Sequence, residues 1–137
     1  MSASQALLSV GAILLLMNIT TSLNRSYVAA VGETMSHQID IEAIQFGQAV
    51  SENLFSASRD YDNLTTLFGG YDDVTTPGKR FQFVTAFGDS LFATVELGSE
   101  KTLRYNITGR VANIEVFSKE DGQYIRRAQN IVTLNKR

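Results

Sequence analysis

The chain has 137 residues, 14 acids against 12 Lys and Arg, a net charge of −2 and no cysteine. This length holds one domain, and the missing cysteines exclude disulfides, thiolate metal sites and cysteine nucleophiles. The near-neutral balance, without a long basic block, excludes an electrostatic platform for nucleic acid, and an ordinary hydrophobic content of 44% excludes wholesale disorder.

From Ala6 to Leu23 apolar residues dominate, and Arg25 is the first charged side chain. Eighteen helical residues span roughly 27 Å, just enough for a bilayer core of about 30 Å. Apolar surface on this scale marks burial in lipid or against other chains. A cleavable signal peptide is disfavoured, because it has a basic residue before the apolar core and small residues at the cut. Met1 to Gln5 carries no charge, and Thr21-Ser22-Leu23 is a poor cut site. Two readings remain: a single-pass anchor, and an anchor that leaves the membrane to pack on copies of itself. Ser9, Gly11 and Asn18 favour the second, since small and polar side chains let helices approach and hydrogen-bond.

Beyond this run Val28, Val31, Met35, Ile39, Ala43, Phe46, Val50, Leu54 and Ala57 recur every three or four residues, the period of a helix. Glu33, Ser36, Gln38, Asp40, Glu42, Gln48 and Glu52 make the opposite, polar face. No proline interrupts residues 1–76. The pattern predicts one helix over about residues 4–57, ~80 Å long. Residues 1–24 form its apolar half, for membrane or assembly core, and residues 25–57 its amphipathic half, packed on a head. Gly69-Gly70 and Pro77-Gly78 mark residues 58–79 as an exposed connecting loop, pinned by Leu64, Leu67 and Phe68.

From Arg80 the period falls to two. Phe81, Phe83, Thr85 and Phe87 read as one strand, and Leu91, Ala93, Val95 and Leu97 as a second. Thr102–Ile107 reads as a third, Arg110–Ser118 as a fourth, and Gln123–Leu134 as the last, after a tight turn at Glu120-Asp121-Gly122. The fold class is therefore α+β: a long N-terminal helix and an antiparallel meander of four to five strands over residues 80–137. One sheet face should bury Phe81, Phe83 and Phe87 with the Val31–Leu54 stripe.

An uncharged apolar N-terminus, a long helix with an amphipathic second half, a loop and an antiparallel meander together resemble the type IV pilin and pseudopilin family. The likeness covers the whole chain in architecture, and its sequence-specific part lies in residues 1–24. It implies a structural subunit, not an enzyme, without cofactor, metal or small-molecule substrate. Such a subunit resides in the inner membrane before assembly and then joins an extracellular filament on the cell surface. It also implies a homo-oligomeric helical polymer and N-methylation at Met1. The assembly core would comprise Met1, Gln5, Leu7, Leu8, Val10, Ile13, Leu14, Leu15, Leu16, Met17 and Asn18. Where the family has a glutamate that pairs with a neighbour's terminal amine, this chain has Gln5, which accepts a hydrogen bond but cannot neutralise an ammonium. That departure points to a minor or divergent subunit. The usual mid-helix proline and C-terminal disulfide are absent too.

Chemistry-bearing residues are sparse. His37, the one histidine, lies on the amphipathic helix, where adjacent Ser36 does not face it. Asp60, Asp62, Asp72 and Asp73 read as a solvated acidic loop in preference to a calcium loop, since the glycine and glutamate of an EF-hand are missing. Arg126-Arg127 and Lys136-Arg137 suit salt bridges to adjoining subunits better than DNA. Asn63-Leu64-Thr65 and Asn106-Ile107-Thr108 match the N-glycosylation acceptor pattern. The rival functions are a membrane-anchored extracytoplasmic binding module and a minor pseudopilin of a secretion apparatus.

Overall fold

The structure, a computed structural model, describes residues 2–136. Helix α1 (Ala3–Ala57) is followed by a short helix α2 (Leu64–Phe68) and a five-stranded antiparallel sheet, an α+β fold with its long helix first. The predicted start and end of α1 fall within a residue of those observed. The chain divides into two compact units, one up to Gln38 and one from Ile39 onward.

In the first unit α1 begins with two reciprocal hydrogen bonds. The Gln5 amide donates to Ser2 Oγ at 3.2 Å, and the Ser2 amide donates to Gln5 Oε1 at 3.3 Å. This is a capping box, which satisfies two amides that the first helical turn leaves without partners. Further along, the hydroxyls of Ser9, Thr20, Thr21 and Thr34 each donate to the carbonyl four residues earlier, at 2.9–3.0 Å. Their polarity is therefore spent on the helix itself.

The second unit is the head. Its helical part points Ala43, Val50 and Leu54 at the sheet. Gly47 lies on the same face, where an added Cβ would sit 3.4 Å from Val116 Cγ2, so its bare backbone permits close helix–sheet approach. The sheet contributes Leu91, Ala93 and Val95 from β2 (Ser90–Leu97) and Ala112, Ile114 and Val116 from β4 (Thr108–Glu120). Val132 and Leu134 come from β5 (Gln123–Asn135), and Tyr61, Leu64 and Phe68 close one end. Strand β1 (Phe81–Val84) pairs with β2, β2 with β4 and β4 with β5, while the two-residue β3 (Lys101–Thr102) continues the lane of β2 beside β4. The meander is thus present, with its third strand shortened.

Four expectations need correction. The helical stripe packs only from Ile39: Val28, Val31 and Met35 are exposed. Phe81 is half-buried but Phe83 and Phe87 are exposed, because β1 ends at Val84 and the chain turns through Gly88, whose φ is +86°. The loop 58–79 is largely ordered: a 3₁₀ helix over Ser58–Asn63, α2, and a 3₁₀ turn at Pro77–Lys79. Leu64 and Phe68 do pin it, but Leu67 faces outward. Finally, the third strand ends at Thr102, and 103–107 is no strand. Tyr105 and Asn106 take left-handed backbone (φ +61° and +58°), which costs an L-residue about 1–2 kcal/mol. The Leu103 amide closes the turn on Ile107 O at 2.6 Å.

The turn at Asp121-Gly122 has φ of +49° and +78°, the paired positive values that join tightly linked antiparallel strands. One irregularity follows. Val116 pairs with Ala128 but Phe117 with Arg126, leaving Arg127 as the extra residue of a β-bulge. Half-buried Arg127 thereby reaches Asp40 on α1 at 3.4 Å, Ser118 Oγ at 2.9 Å and Glu120. Charged hydrogen bonds of this kind contribute about 1.5–3 kcal/mol when partly buried. Arg127→Met should therefore lower the urea midpoint of the full chain in detergent by an amount equivalent to ~1.5 kcal/mol. Arg126→Met should barely move it, since exposed Arg126 only approaches Glu115 at 3.9 Å.

Candidate functional site

The surface assigned to assembly is built on the first unit. Leu7, Leu8, Val10, Ile13, Leu14, Leu15, Leu16 and Met17 all lie on α1 and all are exposed, from 54% at Val10 to 74% at Leu7 and Leu8. Gln5 and Asn18 are exposed as well. Met1, named both for the core and for methylation, lies outside the described residues. None of the most apolar 18-residue window of this helix is buried within the chain, and the helix is long and apolar enough to cross a membrane. Ser9, Thr20 and Thr21 turn their hydroxyls back on the backbone of this helix. The Gln5 side-chain oxygen serves its own helix start, so a neighbour's amine would have to share that acceptor.

In the second unit several charged side chains find partners within the chain. Lys136 Nζ lies 3.1 Å from Asp62, whose hydrogen bond and charge raise the lysine pKa. Arg80 sits 3.9 Å over the Phe92 ring and donates to Tyr124 Oη and Val74 O, each at 2.7 Å. This explains a burial that alternation misses: Phe92 is on the outer sheet face yet only 5% exposed. Tyr71 stacks on Phe81 with centroids 4.3 Å apart, and its carbonyl accepts the Val95 amide at 2.7 Å. The segment before β1 is thus an extension of the sheet edge. Of the basic side chains expected to meet adjoining subunits, Arg127 and Lys136 are paired within the chain and exposed Arg126 only approaches Glu115, while Arg137 lies outside the described residues.

Among the described residues no three His, Asp or Glu side chains gather as a metal site. His37 is exposed on α1. The cleft between helix and β5, lined by Ile44, Gly47, Gln48, Ile114, Val116, Ala128, Gln129 and Asn130, contains no acid, base or nucleophile. Of the four loop aspartates, Asp73 is the organised one. It accepts from Thr75 Oγ1 at 2.6 Å, Thr76 Oγ1 at 2.6 Å and the Thr75 amide at 2.9 Å. Those bonds to the ionised form, the Thr75 hydroxyl's first, lower its pKa from 3.8 to about 2.

A depressed carboxylate stabilises the folded loop above its ordinary pKa, and that contribution disappears as pH falls from 3.8 through about 2. Asp73 should titrate near the lower value by NMR of its carboxyl carbon. Thr75→Val should move the midpoint up toward 3.8, and an unchanged midpoint would show that the hydroxyl bond is not its cause.

No family model, curated protein or solved structure matches this chain.

Proposed function

We propose that the protein is a pilin-like structural subunit that polymerises through residues 1–24 into a helical filament on the cell surface. The observation that carries this reading is the exposed apolar half of α1, none of whose most apolar window is buried. Such a surface needs a partner. Before assembly the partner is the membrane; in the filament it is the same segment of other subunits.

The physical basis of the transfer is narrow. Moving Leu7–Leu23 from lipid to a bundle of helices gains almost nothing from the hydrophobic effect, because acyl chains are as apolar as leucine. Close packing at Gly11, hydrogen bonding by Asn18, and contacts between heads must supply the preference. The helix start contributes a Ser2–Gln5 capping box, which satisfies two of its amides within the chain.

Negative-stain electron microscopy of the protein recovered from cell surfaces tests the proposal. Fibres containing this chain as their bulk component are the expected result. A chain found only as detergent-soluble monomers would identify a membrane-anchored binding module, and a chain at few copies in a secretion apparatus would identify a minor pseudopilin.

A further inference from the structure

We propose that Asn106 is the acceptor of an N-linked glycan, at the apex of the turn between β3 and β4. The proposal rests on the extracytoplasmic placement of the head in the function given above. Four of the eight asparagines, Asn18, Asn24, Asn63 and Asn106, are followed two positions later by Ser or Thr with no intervening proline. The pattern alone is short and often fortuitous. The structure separates the four. Asn18 and Asn24 lie inside α1, where presenting the tripeptide to an enzyme requires unwinding a long helix. Asn63 is half-buried and ends the 3₁₀ helix that leads into α2, and the hydroxyl of its Thr65 accepts Arg110 Nη1 at 2.9 Å.

Asn106 also ends a short 3₁₀ turn, Arg104–Asn106, but its side chain is exposed, and among the described residues no bond to the Thr108 hydroxyl corresponds to the one Arg110 makes to Thr65. It lies at φ +58° in a turn closed by two backbone hydrogen bonds, from the Leu103 amide to Ile107 O and from the Ile107 amide to Arg104 O. Its neighbour Tyr105 supplies a second observation. This residue is 92% exposed, the highest value among the exposed large hydrophobic and aromatic side chains of the described chain, and it too is held in left-handed backbone. A bare aromatic ring on strained backbone has no packing role within the chain. It directly precedes the acceptor in the chain, within reach of a sugar whose apolar pyranose face can cover it.

The donor class is a lipid-pyrophosphate-linked oligosaccharide. Asn106 Nδ2 forms a bond to the anomeric carbon of the first sugar, and the bond from that carbon to the pyrophosphate oxygen breaks. The lipid pyrophosphate leaves with the electron pair, and the amide proton passes to a base of the transferring enzyme. No electron is gained or lost.

Intact-mass spectrometry of the full chain, purified from the surface fraction of its native cells, tests this. The wild-type mass should exceed the sequence mass by a whole number of sugar residues. Asn106→Gln and Thr108→Ala should each abolish the increment, Asn63→Gln should retain it, and Thr108→Ser should restore it. The Thr108 pair keeps the test decisive if Asn106→Gln fails to fold. An unmodified wild-type mass, or an increment that survives Asn106→Gln, overturns the proposal. Fibres of unmodified chain would leave the filament function standing without the glycan; a glycosylated chain that forms no fibres would do the reverse.

Discussion

Leu14→Arg should abolish filaments while leaving the head folded. Leu14 lies in the middle of the apolar half of α1 and is 61% exposed in the isolated chain. A guanidinium at the centre of a membrane-crossing helix costs about 2.5–3.5 kcal/mol on insertion scales. In a polymer the same penalty recurs in every subunit, without water to which the side chain can snorkel. Because transfer from lipid to bundle has so little hydrophobic gain to spare, a loss of this size removes the preference for assembly. Fibre yield by shearing and electron microscopy should fall to background, with the circular dichroism of the sheet unchanged. Normal yield would contradict the assignment of residues 1–24 to the core.

The second large effect concerns the head. Leu54 is fully buried between α1 and the sheet, among Ala43, Val50, Leu64, Leu91, Ile114 and Leu134. Leu54→Ala removes three heavy atoms from a site surrounded by both layers, which costs about 2–5 kcal/mol depending on how far the cavity relaxes. Small domains have a total stability of roughly 5–15 kcal/mol, so the variant should lose a large share of its urea resistance. Phe83→Ala should cost far less, since Phe83 is 43% exposed and stacks only along one side, on Phe46 at 5.4 Å. Equal losses at the two positions would show that the sheet edge, rather than the helix–sheet interface, holds the head together.

Both experiments draw on features that were legible before any coordinates. The 3.6-residue period from Val28 to Ala57 locates α1 because no proline or turn residue competes with it over that length. The Asp121-Gly122 turn is readable because few residues tolerate paired positive φ. What periodicity cannot say is what covers a face. Val28, Val31 and Met35 continue the stripe of Ala43 and Val50, yet packing begins only at Ile39. The alternation of Leu103, Tyr105 and Ile107 imitates a strand, but the chain reverses there to bring Thr108 opposite Thr102. The bulge at Arg127 has no local sequence signal, since its cause is the pairing of two long strands and the reach to Asp40.

The apolar surface proposed for assembly is the more legible part of the site, because eighteen mostly apolar residues without charge can be read from the sequence alone. The role of Gln5 is not. A serine three residues before a glutamine at a helix start is the sequence signature of a capping box, and Ser2-Ala3-Ser4-Gln5 carries it. That local reading competes with one based on a neighbour's amine, and in the chain the local hydrogen bonds are made.

Since the chain has no cysteine, single replacements give clean cross-links, and they test the account most directly. Leu7→Cys, Val10→Cys and Leu14→Cys chains, oxidised in the intact surface fraction, should yield covalent dimers at one or more of these positions, because apolar half-helices of different subunits touch. Monomers at all three positions, with the segment shielded by lipid alone, would contradict it.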